Sequence, residues 1–324
     1  MKSIVLALGI AIAACLPQKA AAQSRAFTFV ALGDMPYAIP GDVVKFDRLI
    51  AAINATKPAF SIHVGDIKSG STPCSDENFR KVLDQFGTFD QPLVYTIGDN
   101  EWTDCHRESA GRFDPLERLA KVRAMFFAKP DGSLGKTAMP VESQSRAMAE
   151  RFSTFVENAR FEKNGVVFAT VHVVGSNNGF EAGDLKSATE FFERNRANVA
   201  WIDDTFAKAK ERDAKAIVLA WQADAWDIAQ REGEIPRASG FVDTIRAVER
   251  GARAFGRPVL VVYGDRHVFE IGPFLNTSRK PVPNVTALMV MGASQVHAVK
   301  VLVDPDSPGV FGFVPLIVPE NRAN

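Results

Sequence analysis

Cysteine is scarce in this 324-residue chain, with only Cys15, Cys74 and Cys105. So few exclude a small disulfide framework, and their spacing fits no zinc ribbon. Glycine shows no period of three, which excludes a collagen-like chain. Neither sign of charge is in excess, with Lys+Arg 38 against Asp+Glu 38, so no basic nucleic-acid-binding patch is expected. No apolar run reaches the roughly 18 residues of a membrane-spanning helix. The chain lacks a Gly-x-Ser-x-Gly elbow, a Gly-x-Gly-x-x-Gly fingerprint, a Gly-x-x-x-x-Gly-Lys-Ser/Thr loop and a His-Glu-x-x-His helix. Tyrosine (3) and tryptophan (4) are few, whereas phenylalanine (24) is plentiful and reads as core material. Hydrophobic residues at 46% and charged residues at 23% match a globular chain rather than a disordered one.

The first 22 residues read as a secretory signal peptide. Lys2 gives a positive start, Ile4 to Ala14 is an apolar run, and Ala20-Ala21-Ala22 is a small-residue cleavage site. Loss of Lys2 and Lys19 leaves 36 basic against 38 acidic residues. Residues 23–324 are then expected as one exported domain, periplasmic or secreted, with no transmembrane helix. Ile12-Ala13-Ala14-Cys15 also resembles a lipobox, which would make the protein a lipoprotein anchored at Cys15. Cys74 and Cys105 remain, either as one disulfide closing a loop of about 30 residues or as two separate thiols.

Strand and helix patterns alternate along the chain. Phe27 to Leu32, Pro58 to Val64 and Pro92 to Ile97 read as strands. Val43 to Thr56 and Glu77 to Phe86 read as helices between them. This order implies βαβ units and a parallel sheet. Leu116 to Phe127 is a further helix. Residues 107–160 otherwise show no clear strand, and Asp131 to Ser145 reads as a surface loop. Strands are expected at Val166 to Val174, Ala216 to Trp221, Pro258 to Tyr263, Ala287 to Met291 and Val296 to Val303. Helices are expected at Ala188 to Arg212 and Phe241 to Phe255.

Four strand patterns end in the same dipeptide: Gly33-Asp34, Gly65-Asp66, Gly98-Asp99 and Gly264-Asp265. Ligands bind beyond the carboxyl ends of parallel strands. Glycine permits the sharp turn, and aspartate presents a carboxylate to the crevice. Four converging carboxylates repel one another, and a hard divalent cation resolves that conflict. The competing reading is four unrelated turn or helix-cap aspartates.

These residues, in their order, resemble the calcineurin-like metallophosphoesterases over about residues 27–303. The resemblance rests on Gly-Asp, Gly-Asp, Gly98-Asp99-Asn100-Glu101, a polar residue after Leu219-Ala220-Trp221, and Gly264-Asp265-Arg266-His267. It implies a four-layer α/β/β/α sandwich, two mixed sheets flanked by helices, with one or two metal ions at the strand ends. It implies Asp34, Asp66, Asp99, Gln222, Asp265 and His267 as metal ligands, with Trp221 as the alternative to Gln222. Asp99 and Asn100 stand at the position of the family's ligand Asn and catalytic His. Pro36 stands where the family has its first ligand His, and of the metal-site histidines only His267 remains. The oxygen-rich set suits Mg²⁺, Mn²⁺ or Ca²⁺ better than Zn²⁺.

The implied reaction is metal-assisted hydrolysis of a small phosphate ester. Asn100 can donate to a phosphoryl oxygen but cannot protonate a leaving group. Glu101, Asp104, His106 and Arg107 are the residues near enough in sequence to supply that proton. The alternative function is a catalytically inactive chain that binds a ligand or partner. His63, His172 and His297 read as structural, Trp221 and Trp226 as packing, and Arg107 and Arg266 as solvated cations or phosphate contacts.

Overall fold

The computed structural model describes residues 24–38, 40–226 and 238–322. The expected signal peptide, its cleavage site and Cys15 lie outside the described residues.

The strands are β1 (Phe27–Leu32), β2 (Ser61–His63), β3 (Leu93–Tyr95), β4 (Glu142–Ser143), β5 (Ala159–Lys163), β6 (Val166–Thr170), β7 (Ala216–Ala220), β8 (Val259–Tyr263), β9 (Glu270–Leu275), β10 (Pro281–Met289), β11 (Ala298–Val303) and β12 (Phe311–Leu316). The long helices are α1 (Gly41–Thr56), α2 (Asp76–Phe86), α3 (Pro115–Phe126), α4 (Leu185–Glu211) and α5 (Val242–Phe255). Two mixed sheets result, in the orders β12-β11-β1-β2-β3 and β4-β5-β6-β7-β8-β10-β9. The parallel runs are β1-β2-β3 in one sheet and β6-β7-β8-β10 in the other.

Side-chain alternation builds four layers from these two sheets. In β1, Phe29 and Ala31 face the second sheet, while Val30 and Leu32 face α1, α2 and α3. In β7, Ala216, Val218 and Ala220 face the first sheet, while Ile217 and Leu219 pack under α4 and α5. Phe29 stacks on Phe60 with ring centroids 5.3 Å apart and meets the ring of Phe168 edge-on at 5.5 Å. The phenylalanine surplus thus fills the layer between the sheets, each buried ring contributing about 2–3 kcal/mol.

Helix boundaries follow from local chemistry. The Ser75 hydroxyl caps α2 by accepting from Asn78 N–H. Asp114 caps α3, with Pro115 at the first helical position. Asp184 caps α4, which therefore starts before the expected Ala188.

Four expectations need correction. The Val166 strand ends at Thr170: Val173 N–H turns back onto Val171 O, Val171 O also accepts from Thr96 O–H, and Val174 packs into the core of the first sheet. Residues 107–160 do contain strand, at β4 and β5. Arg160 hid β5: it is a buried strand residue whose guanidinium pairs with Glu142 (2.7 Å) and Asp204 (2.9 Å) and lies over Trp201. The segment read as a surface loop at 131–145 is tied in by bridges Leu93–Leu134 and Gly132–Pro140 and buries Ser143 and Gln144. The edge strands β9 and β12 were also not foreseen.

Cys74 and Cys105 form a disulfide with Cα atoms 5.7 Å apart. It joins the segment after β2 to the segment after β3. In the chain-entropy account a loop of this size stabilises by about 3 kcal/mol. We expect Cys74→Ser with Cys105→Ser to lower the unfolding free energy by about that amount, read from urea titration of the double variant.

Candidate metal centre

Register places the acidic residues at one edge. Leu32, His63 and Tyr95 lie side by side across β1, β2 and β3. Asp34, Asp66 and Asp99 follow them two, three and four residues later. From the second sheet, Asp265 follows the last residue of β8 by two. The crevice therefore sits where the carboxyl ends of both parallel runs meet.

The glycines of the repeated dipeptide make this convergence possible. A Cβ on Gly98 would fall on Asp66 Oδ1, and one on Gly264 would fall on Asp34 Oδ2. Asp66 thus occupies the space over the neighbouring strand's glycine, and Asp34 the space over a glycine of the other sheet. Asp34, Asp66 and Asp265 hold positive φ angles of 53°, 56° and 80°. A non-glycine residue pays roughly 1–2 kcal/mol for this conformation, a strain that concentrates at functional sites.

Asp66 is the most heavily bonded member. Its Oδ2 accepts from Tyr37 O–H (2.7 Å), Asn100 Nδ2–H (2.8 Å) and Gln222 Nε2–H (3.2 Å), and its Oδ1 from Asn100 N–H (3.1 Å). Gln222 Oε1 accepts from Gly175 N–H at 2.6 Å, which fixes the amide so that its N–H faces the carboxylates. Asp34 Oδ1 accepts from Asp265 N–H at 3.0 Å, and its buried Oδ2 has no partner. Ser176 O–H donates to Asp99 Oδ2 at 2.7 Å, and Asp224 N–H to Asp265 Oδ2 at 2.9 Å. His267 Nε2 lies 3.0 Å from the Tyr37 hydroxyl and 3.7 Å from Asp34 Oδ1.

Charge is in excess here. Burial pushes the carboxyls of Asp34 and Asp66 well up, helped by Asp265 in the first case and by Asp99 and Glu101 in the second. Burial and the Asp99 charge push Asp265 and Asp104 up to about 7. Burial pushes the Lys68 ammonium down, opposed by Glu101 and Asp66. Two carboxylates 4 Å apart repel by about 4 kcal/mol at an effective dielectric of 20.

The structure brings Asp34, Asp66, Asp99, Asn100, Gln222, Asp265 and His267 into this one crevice. It separates them from other residues considered from the sequence. Trp221 is fully buried, its indole N–H bonded to Ala223 O at 3.0 Å, so Gln222 holds the crevice position. Glu101 accepts from Tyr95 O–H, Gly98 N–H and Ile67 N–H, and so shapes the β3 turn. Arg107 pairs with Asp104 at 2.6 Å, and Arg266 with Asp224 at 2.5 Å. His63 bridges Met35 O and Gly65 N–H inside the core, and His172 bonds Glu157. Tyr37, Lys68 and Ser176 were missed. Each lies in a loop without periodicity, and only proximity in sequence to Asp34 and Asp66 marked the first two.

Among the described residues, no group of three or more His, Cys, Asp or Glu side chains is arranged to hold a metal ion as it stands. The donor chemistry divides the crevice in two. Around Asp66, Asp99 and Asp265, with the orphaned Asp34 Oδ2, the donors are carboxylate oxygens of the kind a hard cation selects, whereas the Gln222 oxygen expected as a ligand is held by Gly175 N–H. Between Asp66 and His267 lies the Tyr37 hydroxyl, and Pro36 offers no donor there.

Two mixed sheets face to face, helices outside, and an acidic crevice at their shared carboxyl edge define the metallophosphoesterase fold. A dimetal phosphatase from Danio rerio superposes with a TM-score of 0.52 over 90% of this chain and 98% of its own, at 11% identity. A purple acid phosphatase from yellow lupin (Lupinus luteus) seeds gives 0.50 over 92% of this chain and 55% of its own, at 12% identity. At such identities the likeness is one of fold. No protein-family model matches the chain, and no curated protein matches its sequence.

Two outcomes are expected. Asp265→Asn removes a carboxylate that the folded state keeps protonated up to about pH 7. The wild-type folded state binds more protons than the unfolded state between about pH 4 and 7, so this group's contribution to stability falls as pH rises. Asp265→Asn should therefore stabilise the metal-free protein more at pH 8 than at pH 5, by at most about 2–3 kcal/mol in urea titration. Gly264→Ala should displace Asp34 and lower divalent-ion affinity at least about tenfold in calorimetric titration.

Proposed function

We propose that residues 23–324 form one exported domain that hydrolyses a small phosphate ester with the help of a divalent cation. The observation that carries this reading is the crowding of Asp66, Asp99 and Asp265 about Asp34, whose buried Oδ2 has no partner. A cation held there supplies Lewis-acid polarisation of a phosphoryl oxygen. Mg²⁺, Mn²⁺ and Ca²⁺ suit this oxygen set better than Zn²⁺.

The chain's own residues supply the rest. Asn100 donates its two amide protons to Asp66 Oδ2 and Tyr37 Oη, and would reach a phosphoryl oxygen by giving up one of them. A cavity of about 590 Å³ opens next to Asp99, lined by Trp102, Asp104, His106, Arg107, Leu116 and Ser176. Asp104 stands on its wall, paired with Arg107, its carboxyl raised by burial and the Asp99 charge, and it is the buried acid lining this cavity that would protonate a leaving oxygen. Glu101 accepts three hydrogen bonds on Oε1 in the β3 turn, leaves its buried Oε2 without a partner, and does not line this cavity. Export is supported by the N-terminal pattern and by the disulfide, which persists in oxidising compartments.

The test is hydrolysis by chelator-stripped mature protein, given Mg²⁺, Mn²⁺, Ca²⁺ or Zn²⁺ separately and assayed on aryl phosphate mono- and diesters. Turnover should need the metal and fall at least about 100-fold in Asp66→Asn. Asp104→Asn should slow esters of poor alkyl leaving groups about 10- to 100-fold more than nitrophenyl esters. Metal binding without turnover on any of these esters would point instead to the ligand-binding reading, which Pro36 and Asn100 favour.

A further inference from the structure

Tyr37 Oη is the atom on which the groups beside His267 converge. It lies 2.7 Å from Asp66 Oδ2, 3.0 Å from His267 Nε2 and 3.0 Å from Asn100 Nδ2. A hydroxyl has one proton to give and two lone pairs to receive with. With the proton given to the Asp66 carboxylate, the lone pairs receive from Asn100 N–H and from His267 in the tautomer that carries its proton on Nε2. All of its bonding capacity is in use. An ion shared by Asp66 and His267 must sit about 2.0–2.5 Å from each, which is the space this oxygen fills.

The phenol is also held there. Its ring packs perpendicular to the His267 ring at 4.9 Å. Thr72 O–H donates to the Tyr37 carbonyl at 3.0 Å, and the buried His63 donates to Met35 O at 3.0 Å. A Cβ on Gly292 would fall on Asp34 Cβ, so backbone presses on Asp34 and His267 from behind. Pro36, the residue before the tyrosine, has no donor to offer an ion.

We propose that the Tyr37 hydroxyl replaces a metal ion between Asp66 and His267, so that this position admits no cation and the crevice takes a single ion, on its Asp99–Asp265 side. The single-ion count rests on the function proposed above; the exclusion at Tyr37 does not. Proton donors rather than a second ion offset the charge on Asp66 Oδ2. The loss of a ligand at position 36 and the presence of a phenol at position 37 then form one exchange, of a cation for a neutral donor.

The test uses stripped mature protein and Mn²⁺ or Mg²⁺ alone. Equilibrium dialysis with metal analysis should count one Mn²⁺ per chain, and electron paramagnetic resonance should show an isolated ion with no exchange-coupled pair. The ¹⁵N resonance of His267 Nε2 should stay in place when Mg²⁺ saturates the protein. It should move in metal-free Tyr37→Phe, which deprives that nitrogen of its acceptor. Two Mn²⁺ ions with exchange coupling, a His267 resonance displaced by Mg²⁺, or one indifferent to Tyr37→Phe would each overturn the proposal. If no Mn²⁺ binds, the phosphoesterase reading and the single-ion count fail. The exclusion at Tyr37 then stands or falls on the response of His267 to the phenylalanine variant, so the two failures are told apart without any activity measurement.

Discussion

Carboxylates drawn out of water and set side by side repel, and their own burial sharpens the repulsion. The crevice of this protein is organised around that cost. Asp34, Asp66, Asp99 and Asp265 arrive from two sheets at one edge. Each is held by proton donors: Tyr37, Asn100 and Gln222 at Asp66, Ser176 at Asp99, and backbone N–H groups at Asp34 and Asp265. What these donors leave unsatisfied, above all Asp34 Oδ2, is where a cation has most to offer. The raised carboxyls of Asp104 and Asp265 express the same excess of negative charge, distributed through protons instead of ions.

The surrounding fold maintains this arrangement. Asp34 leaves the first sheet yet packs over Gly264 of the second, so the two sheets are locked at their carboxyl edge as well as through the phenylalanine layer. The Cys74–Cys105 disulfide joins the segments carrying Lys68 and Asp104. Arg194 of α4, fully buried, binds Asn178 and the His172 carbonyl, and thereby secures the Gly175–Asn178 turn that presents Ser176 to Asp99. Removal of that guanidinium would leave several buried acceptors unpaired at once.

Much of this was legible in the chain. Strands β1, β7 and β8 and helices α1, α2, α3 and α5 follow apolar periodicity to within a residue or two, because each has one face or two faces buried. Strands β4 and β5 escaped notice because burial there is achieved by ion pairing: Arg160 looks like a surface residue until Glu142, Asp204 and Trp201 surround it. The repeated Gly-Asp pattern marked four crevice carboxylates. It gave no sign of Tyr37, whose role depends on a hydroxyl reaching His267, which lies 230 positions away in the chain.

The sequence by itself determined the alternation of the central strands and helices, the Gly-Asp turns after four of those strands and the acidic character of those turns. Periodicity and the glycine–aspartate turn are local properties of the backbone. Only the tertiary structure decided which donors meet which carboxylates. It turned the Gln222 amide N–H toward Asp66 by fixing its oxygen on Gly175, and it set a tyrosine hydroxyl between an aspartate and a histidine. Those outcomes depend on distances of about 3 Å between residues far apart in the chain, where hydrogen bonding and charge repulsion act, and no local pattern encodes them.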